Sequence, residues 1–312
     1  MLRFLLVRIL QALPVIFVVI TATFFLVRSA PGGPFDQEKV VIPEVRAALE
    51  AQYRLDLPLH EQYFAYLGDL AQGDLGPSFK YPGRSVNEIL FAGLPVTAEL
   101  GLYALIIALV IGVTAGVFAS LKPNTAQDYI PMSLAMIGIC LPTFVMGPLL
   151  MLVFSLKLGW FPATGWGGFS GEQFFASDMV LPSVTLGFFY AAYISRLTRG
   201  GMLDILTQDY IRTAKAKGAS GLRVILKHSL RGGLLPVISF MGPAVAGLIA
   251  GSFVIETIFA IPGLGQDFVK SAFNRDYTLV LGVVMFYATL IILLNLIVDI
   301  LQVTLNPKLK FD

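Results

Sequence analysis

Residues 96–121 read VTAELGLYALIIALVIGVTAGVFASL, a run in which Glu99 is the single charge. A bilayer core about 30 Å thick is crossed by about 20 mostly apolar helical residues. Lipid offers no partner for a backbone N–H or C=O, so the crossing segment must satisfy its own hydrogen bonds, as a helix does. The stretch is long enough, and Gly112 and Gly116 make a G-x-x-x-G face that lets a second helix come close. It reads as a membrane span.

Working outward, five further stretches have the same character: 5–27, 129–156, 179–197, 234–258 and 279–305. The composition of the 312 residues agrees, with 56% hydrophobic, 13% charged and a mean hydropathy of +0.77. Soluble domains carry roughly 25% charge, so this chain could not cover a water-facing surface. The fold class is therefore all-α membrane protein with six transmembrane helices. Arg3 and Arg8 ahead of the first run would suit a signal peptide. That run exceeds the usual length of about 7 to 15 residues, however, and no small-x-small cleavage site follows it. A retained anchor is expected.

The 22 Lys and Arg residues give the orientation. With the amino terminus inside, 13 fall on inner segments, among them Lys122, Arg196, Arg199, Lys308 and Lys310, and three fall on the short outer loops, Lys157, Lys270 and Arg275. The remaining six lie in residues 28–95, too long a loop to weigh heavily. Both termini are expected inside. The chain divides into a first span (1–27), a helical loop outside (28–95), a five-helix core (96–305) with a basic inner loop at 198–233, and an inner tail (306–312). Within the outer loop, PEVRAALEAQY sets Val45, Leu49 and Tyr53 on one side, and PLHEQYFAYLGDLAQ does the same with Leu59, Tyr63, Tyr66, Leu67 and Leu70. Two short amphipathic helices are expected there, either as a packed lid over the first span or as a docking surface.

The inner loop holds DYIRTAKAKGASGLRVILKHSL, residues 209–230. Leu203, Leu206, Tyr210 and Ala214 recur at helical spacing, as do Leu222, Leu226 and Leu230, while Arg212, Lys215, Lys217, Arg223 and Lys227 take other faces. Gly218 and Gly221 supply a tight turn between the arms. The pattern is helix–turn–helix, amphipathic in both arms. Its basic residues suit anionic headgroups, and its apolar faces suit insertion into a groove on a partner; pattern alone leaves both open. No aromatic platform accompanies the charge, so nucleic acid is not a partner.

The spacing of RTA, three residues, Gly218, nine residues and HSLR resembles the cytoplasmic loop of bacterial ABC-importer permeases. Arg212 and Thr213 stand where that family has Glu-Ala, and His228 and Arg231 replace Ile and Pro, departures seen in the branch that imports peptides, nickel and some sugars. MLRFLLVRILQALPVIFVVITATFFLVRSAPGGP, GDLGPSFKY, VIETIFAIPGLGQ and NRDYTLVL are similar to that branch, the second and fourth to its oligopeptide-permease B-subunit type. The resemblance implies a type I importer fold and docking on an ATPase through Tyr210, Arg212, Thr213, Ala214, Lys215, Lys217, Gly218, Ala219, Ser220 and Leu222. It also implies two ATPase subunits that use ATP and magnesium, a second, C-type permease subunit, a periplasmic peptide-binding protein and a place in the bacterial inner membrane. Dipeptides, nickel or glycosides are alternative cargoes.

No G-x-x-x-x-G-K-[ST] loop occurs, so ATP would have to be cradled by another chain. No catalytic residue or bound cofactor is expected, and no metal site, since His60, His228 and the single Cys140 form no ligand cluster. GASG also matches the G-x-S-G of rhomboid proteases, but Ser220 and His228 share one basic element, with no oxyanion site in view. Glu99, Glu256 and Asp299 lie toward the ends of their spans, where water is reachable. Glu256, followed by Pro262, Gly263 and Gly265 in a gate-like PGLGQ turn, is the best pathway candidate. An ion-coupled carrier would want a carboxylate at mid-membrane, and none is obvious. Gly247 and Gly251 form a second G-x-x-x-G face, suited to a second permease subunit or to the pathway. Pro14, Pro131, Pro142, Pro148, Pro182, Pro236 and Pro243 are expected to bend several spans.

Overall fold

The computed structural model describes residues 2–30, 32–35, 43–167 and 177–305. Their order is α1 (Leu2–Ser29), α2 (Pro43–Gln52), α3 (Leu59–Ala71), α4 (Val86–Ser120), α5 (Ala126–Cys140) and α6 (Thr143–Leu150), which widens into a π segment at Met151–Lys157. After a short 3-10 turn come α7 (Val180–Leu206), α8 (Asp209–Ala216), α9 (Gly221–Arg223), a second π segment (Val224–Ser229) and α10 (Leu230–Gly233). The series closes with α11 (Leu235–Ile258), α12 (Leu264–Asn274) and α13 (Tyr277–Leu305). The β pairing among the described residues is one isolated bridge, Pro77 to Ser85. The inner tail expected at 306–312 lies outside the described residues.

Among the described residues, five helices are long and apolar enough to cross a membrane: Leu10–Ser29, Val86–Ser120, Ser177–Leu206, Leu235–Ile258 and Tyr277–Ile297. The stretch expected as the third span is two helices, Ala126–Cys140 and Thr143–Lys157, bent by 107°, and makes a sixth span if the pair crosses as one. The cause is local. Pro142 has no N–H and crowds the residue before it, and Leu141 accordingly leaves the helix for an extended conformation at φ −87°, ψ 117°. The prolines at 14, 131, 148 and 243 sit inside helices that continue through them.

The described residues form two compact units. The first gathers described residues up to 96 with 262–293, and the second those of 97–261 with 294–305. In the first unit, Val86 and Leu90 of α4, Leu264 of α12 and Leu279 and Val283 of α13 close on Leu75. Beside them Phe35, Phe79 and Tyr277 form an aromatic core that Leu49 and Tyr53 of α2 and its exit join. Helix α2 is thus packed against this core. Helix α3 lies on the end of α1: Phe24 stacks with Tyr66 at 5.9 Å and meets Tyr63 edge-on at 5.1 Å. The Tyr63 and Thr21 hydroxyls share a hydrogen bond of 2.6 Å, and Arg28 Nε donates to Gln62 Oε1 at 2.9 Å. Leu59, expected on the packed side, is instead exposed, whereas polar Gln62 is buried because its amide serves Arg28 and the Leu57 carbonyl.

The second unit is built on α7, whose small and polar residues accept neighbours on several sides. Gly112 and Gly116 of α4 face Ala191, Ile194, Ser195 and Thr198 so closely that a Cβ at either glycine would collide with them. The G-x-x-x-G face expected at 112–116 is therefore occupied within the chain. Ala108, Ala191, Ile194 and Val237 make the buried seam where α4, α7 and α11 meet.

Candidate functional site

The basic loop folds as a knuckle with a buried anchor. Helix α7 ends at Leu206, and α8 starts one short step later behind Gln208, an extended residue at φ −71°, ψ 149°. Ile211 of α8 is fully buried, as is Val224 at 2% exposure, so two aliphatic pins hold the loop down. Burying a side chain of that size is worth about 1.5–3 kcal/mol. Periodicity had assigned the ridge to Leu203, Leu206, Tyr210 and Ala214 and had passed over Ile211. The sequence does hold the signal: Ile211 is the sole large aliphatic of its short helix. Gly218 ends the first arm at φ +80°, a left-handed conformation that glycine alone enters without strain, and no atom lies within 4 Å of where its Cβ would be.

With the pins turned inward, other apolar residues turn outward. Tyr210 is 49% exposed, Leu226 58% and Leu222 67%. Around them Arg212, Thr213, Lys215, Lys217 and Ser220 are exposed, while Ala214 and Ala219 are half-buried. The Tyr210 hydroxyl reaches the His228 carbonyl at 3.5 Å, joining the arms. An apolar cleft of 330 Å³ opens beside Lys215, Leu206 and Ile225. Chemically, the knuckle can offer a greasy tip and a cationic rim. Ser220 caps the start of α9, its carbonyl accepting from Val224 N–H at 2.9 Å, and no hydrogen bond joins it to His228 among the described residues.

Of the three carboxylates expected near water, Asp299 is half-buried, and Glu99 and Glu256 are buried instead. Glu256 is fully buried near the end of α11 and accepts a hydrogen bond from Thr97 Oγ1 at 2.8 Å. Glu99 is 7% exposed and accepts from Trp166 Nε1 at 3.3 Å. Buried carboxylates demand such donors, and Thr97 and Trp166 carry no charge to mark them in the sequence. Pro262 is exposed, while Gly263 and Gly265 are buried at the start of α12, where Gly263 is its extended capping residue. Of the glycine pair in α11, Gly247 abuts the Tyr190 hydroxyl of α7, so its small size serves packing inside this chain. Gly251 faces open space, with nothing within 4 Å of a Cβ placed there.

Two of the sequence motifs prove to be one structure. Asp276, from NRDYTLVL, is fully buried and caps α13 by accepting Leu279 N–H at 3.2 Å. The same carboxylate accepts the Ser78 hydroxyl at 2.5 Å and Phe79 N–H at 3.1 Å, both from GDLGPSFKY. Tyr277 beside it donates to the Gly32 carbonyl of the APGGP turn at 2.8 Å.

Apolar helices of spanning length, a packed helical insertion and an exposed basic knuckle define a membrane transport permease subunit. The comparisons agree. Residues 108–311 match the family described as binding-protein-dependent transport system inner membrane component, and residues 1–100 match its N-terminal counterpart. The chain belongs to that family of transport permeases. It is 50% identical over 311 residues, covering 100% of both chains, to the oligopeptide transport system permease protein OppB of Haemophilus influenzae, and equally so to that of Escherichia coli K12. It is 44% identical to the dipeptide transport system permease protein DppB of Bacillus subtilis, over 99% of this chain and 98% of that one. Among solved structures, the inward-facing MetNI methionine ABC transporter superposes with a TM-score of 0.56 at 18% identity, covering 70% of this chain and 97% of its own. That likeness concerns the fold.

Proposed function

We propose that this chain is the membrane-spanning half of an ATP-driven importer for oligopeptides, levered by ATPase subunits that grip the α8 knuckle. The carrying observation is the division of labour in that loop. Ile211 and Val224 fix it from within, and Tyr210, Leu222 and Leu226 stand outside among cations. A helix pinned this way transmits a push to α7 and α11 without folding up. Full-length identity of 50% to OppB proteins supports oligopeptides as the cargo class, ahead of dipeptides at 44%.

In this reading the chain itself catalyses nothing; ATP and magnesium are used by the partner subunits, a second, C-type permease completes the pathway, and a binding protein delivers the peptide. The termini lie in the cytoplasm and the α2–α3 insertion outside. Glu256 with the Pro262–Gly265 turn belongs to the pathway, and Gly251, the open member of its pair, to the permease partner. Gly218→Val tests the lever, because a β-branched residue at φ +80° costs about 1–2 kcal/mol and must reshape the turn. Vesicles holding the assembled transporter should keep hydrolysing ATP while peptide uptake falls, with unchanged amounts of the chain in the membrane. Undiminished uptake would contradict the lever.

A further inference from the structure

A cleft of 430 Å³ opens between α5 and α7 in the second unit, lined by Asp128, Tyr129, Met132, Met136, Arg196 and Arg199. Its charges do not balance. Asp128 is 1% exposed, and Arg199 occupies both its oxygens through Nε and Nη2 at 2.5 Å, with Asn124 N–H adding a third bond at 2.9 Å. That pair cancels. Arg196 is exposed and has no acidic partner among the described residues, so the cleft keeps one positive charge. Around the cation the lining is an exposed tyrosine and two thioethers.

Its depth is legible from the helices. Asp128 lies in the first turn of α5, so the Asp128–Arg199 pair marks where α5 enters the membrane. Arg196 is one turn further in along α7, about 4.5 Å at 1.5 Å per residue. This is the membrane face from which α8 projects. A charge at that depth is retained when something answers it, and basic pockets between helices at headgroup level attract anionic lipid.

We propose that this cleft is a site for an anionic phospholipid. Its phosphodiester would sit on Arg196 with the Tyr129 hydroxyl as second donor, and an acyl chain would lie along Met132 and Met136. A phosphate on a hydrocarbon tail fits better than a passing peptide carboxylate, because the lining beyond Arg196, Tyr129 and the cancelled Asp128–Arg199 pair is apolar, Met132 and the exposed Met136, with no further polar side chain to meet a peptide backbone. Lipid bound there braces α5 against α7. The inference rests on the chain being a membrane protein and not on its cargo.

The test uses the full chain, purified from membranes with the subunits that accompany it, in nanodiscs of phosphatidylcholine alone or mixed with phosphatidylglycerol. Native mass spectrometry should find phosphatidylglycerol retained by the wild type, and the mixed lipid should raise its thermal midpoint. Arg196→Gln should retain about fivefold less, the worth of one basic residue near an anionic surface. Arg196→Lys should keep most of the binding, and Lys157→Gln, a cation elsewhere, should keep all of it. Equal retention by Arg196→Gln and wild type would overturn the site. Equal stabilisation by inorganic phosphate in pure phosphatidylcholine would overturn the lipid in favour of the free anion. Displacement of the lipid by a free-acid oligopeptide but not by its amide would overturn it in favour of cargo.

Discussion

At the scale of single residues, the molecule is held by buried carboxylates with assembled donors. Asp276 is the clearest case, since one side chain caps α13 and fastens Ser78 and Phe79. Asp276→Ala strands buried donors, each costing about 1–3 kcal/mol, and should lower the thermal midpoint far more than Ser78→Ala, which removes one. Equal effects would contradict the shared junction. Asp267 of α12 shows the opposite balance. Burial pushes its pKa above the ordinary carboxylate value, and Lys270 and Arg84 only partly offset that. The fold therefore holds this proton more tightly than the unfolded chain does. The associated stability is present below the ordinary value of 3.8 and is lost as pH rises through the raised one. Asp267→Asn should be more stable than wild type at neutral pH, and thermal scans should show the gain shrinking toward pH 4. A gain constant with pH would contradict the assignment.

At the scale of elements, α5 is the instructive one. Residues 129–156 carry an unbroken apolar signal, and hydropathy sees one span. The 107° break at Leu141–Pro142 is a matter of backbone geometry to which hydropathy is blind. The proline was visible, but so were Pro131 and Pro148, which helices tolerate. What fixes α5 against α7 was equally hidden. Asp128 and Arg199 lie 71 positions apart, and no local pattern pairs them. Removing one partner of a buried ion pair costs about 3–5 kcal/mol, because the other charge is left stranded. Asp128→Ala and Arg199→Ala should each destabilise the chain strongly, and the double variant much less than their sum, as a thermal double-mutant cycle would register. Additive losses would mean that the pair does not act as a unit.

At the scale of the whole molecule, the class was legible and the working parts only partly so. Long apolar runs dictate helices in lipid, and the short motifs carried the family. Two of them, GDLGPSFKY and NRDYTLVL, meet at Asp276, a junction that the sequence alone could not disclose. The knuckle was legible as amphipathic but not in its facing: the pins at Ile211 and Val224 had to be seen before Tyr210, Leu222 and Leu226 could be read as the free surface. The account's central claim is that this surface is held by a separate motor. A photo-crosslinking residue placed at Leu222 in membranes that are actively importing peptide tests it most directly. The account predicts capture of a nucleotide-hydrolysing subunit, lost in Ile211→Asp, where the pin is removed. Vigorous import with no such subunit captured at Leu222, Tyr210 or Leu226 would contradict it.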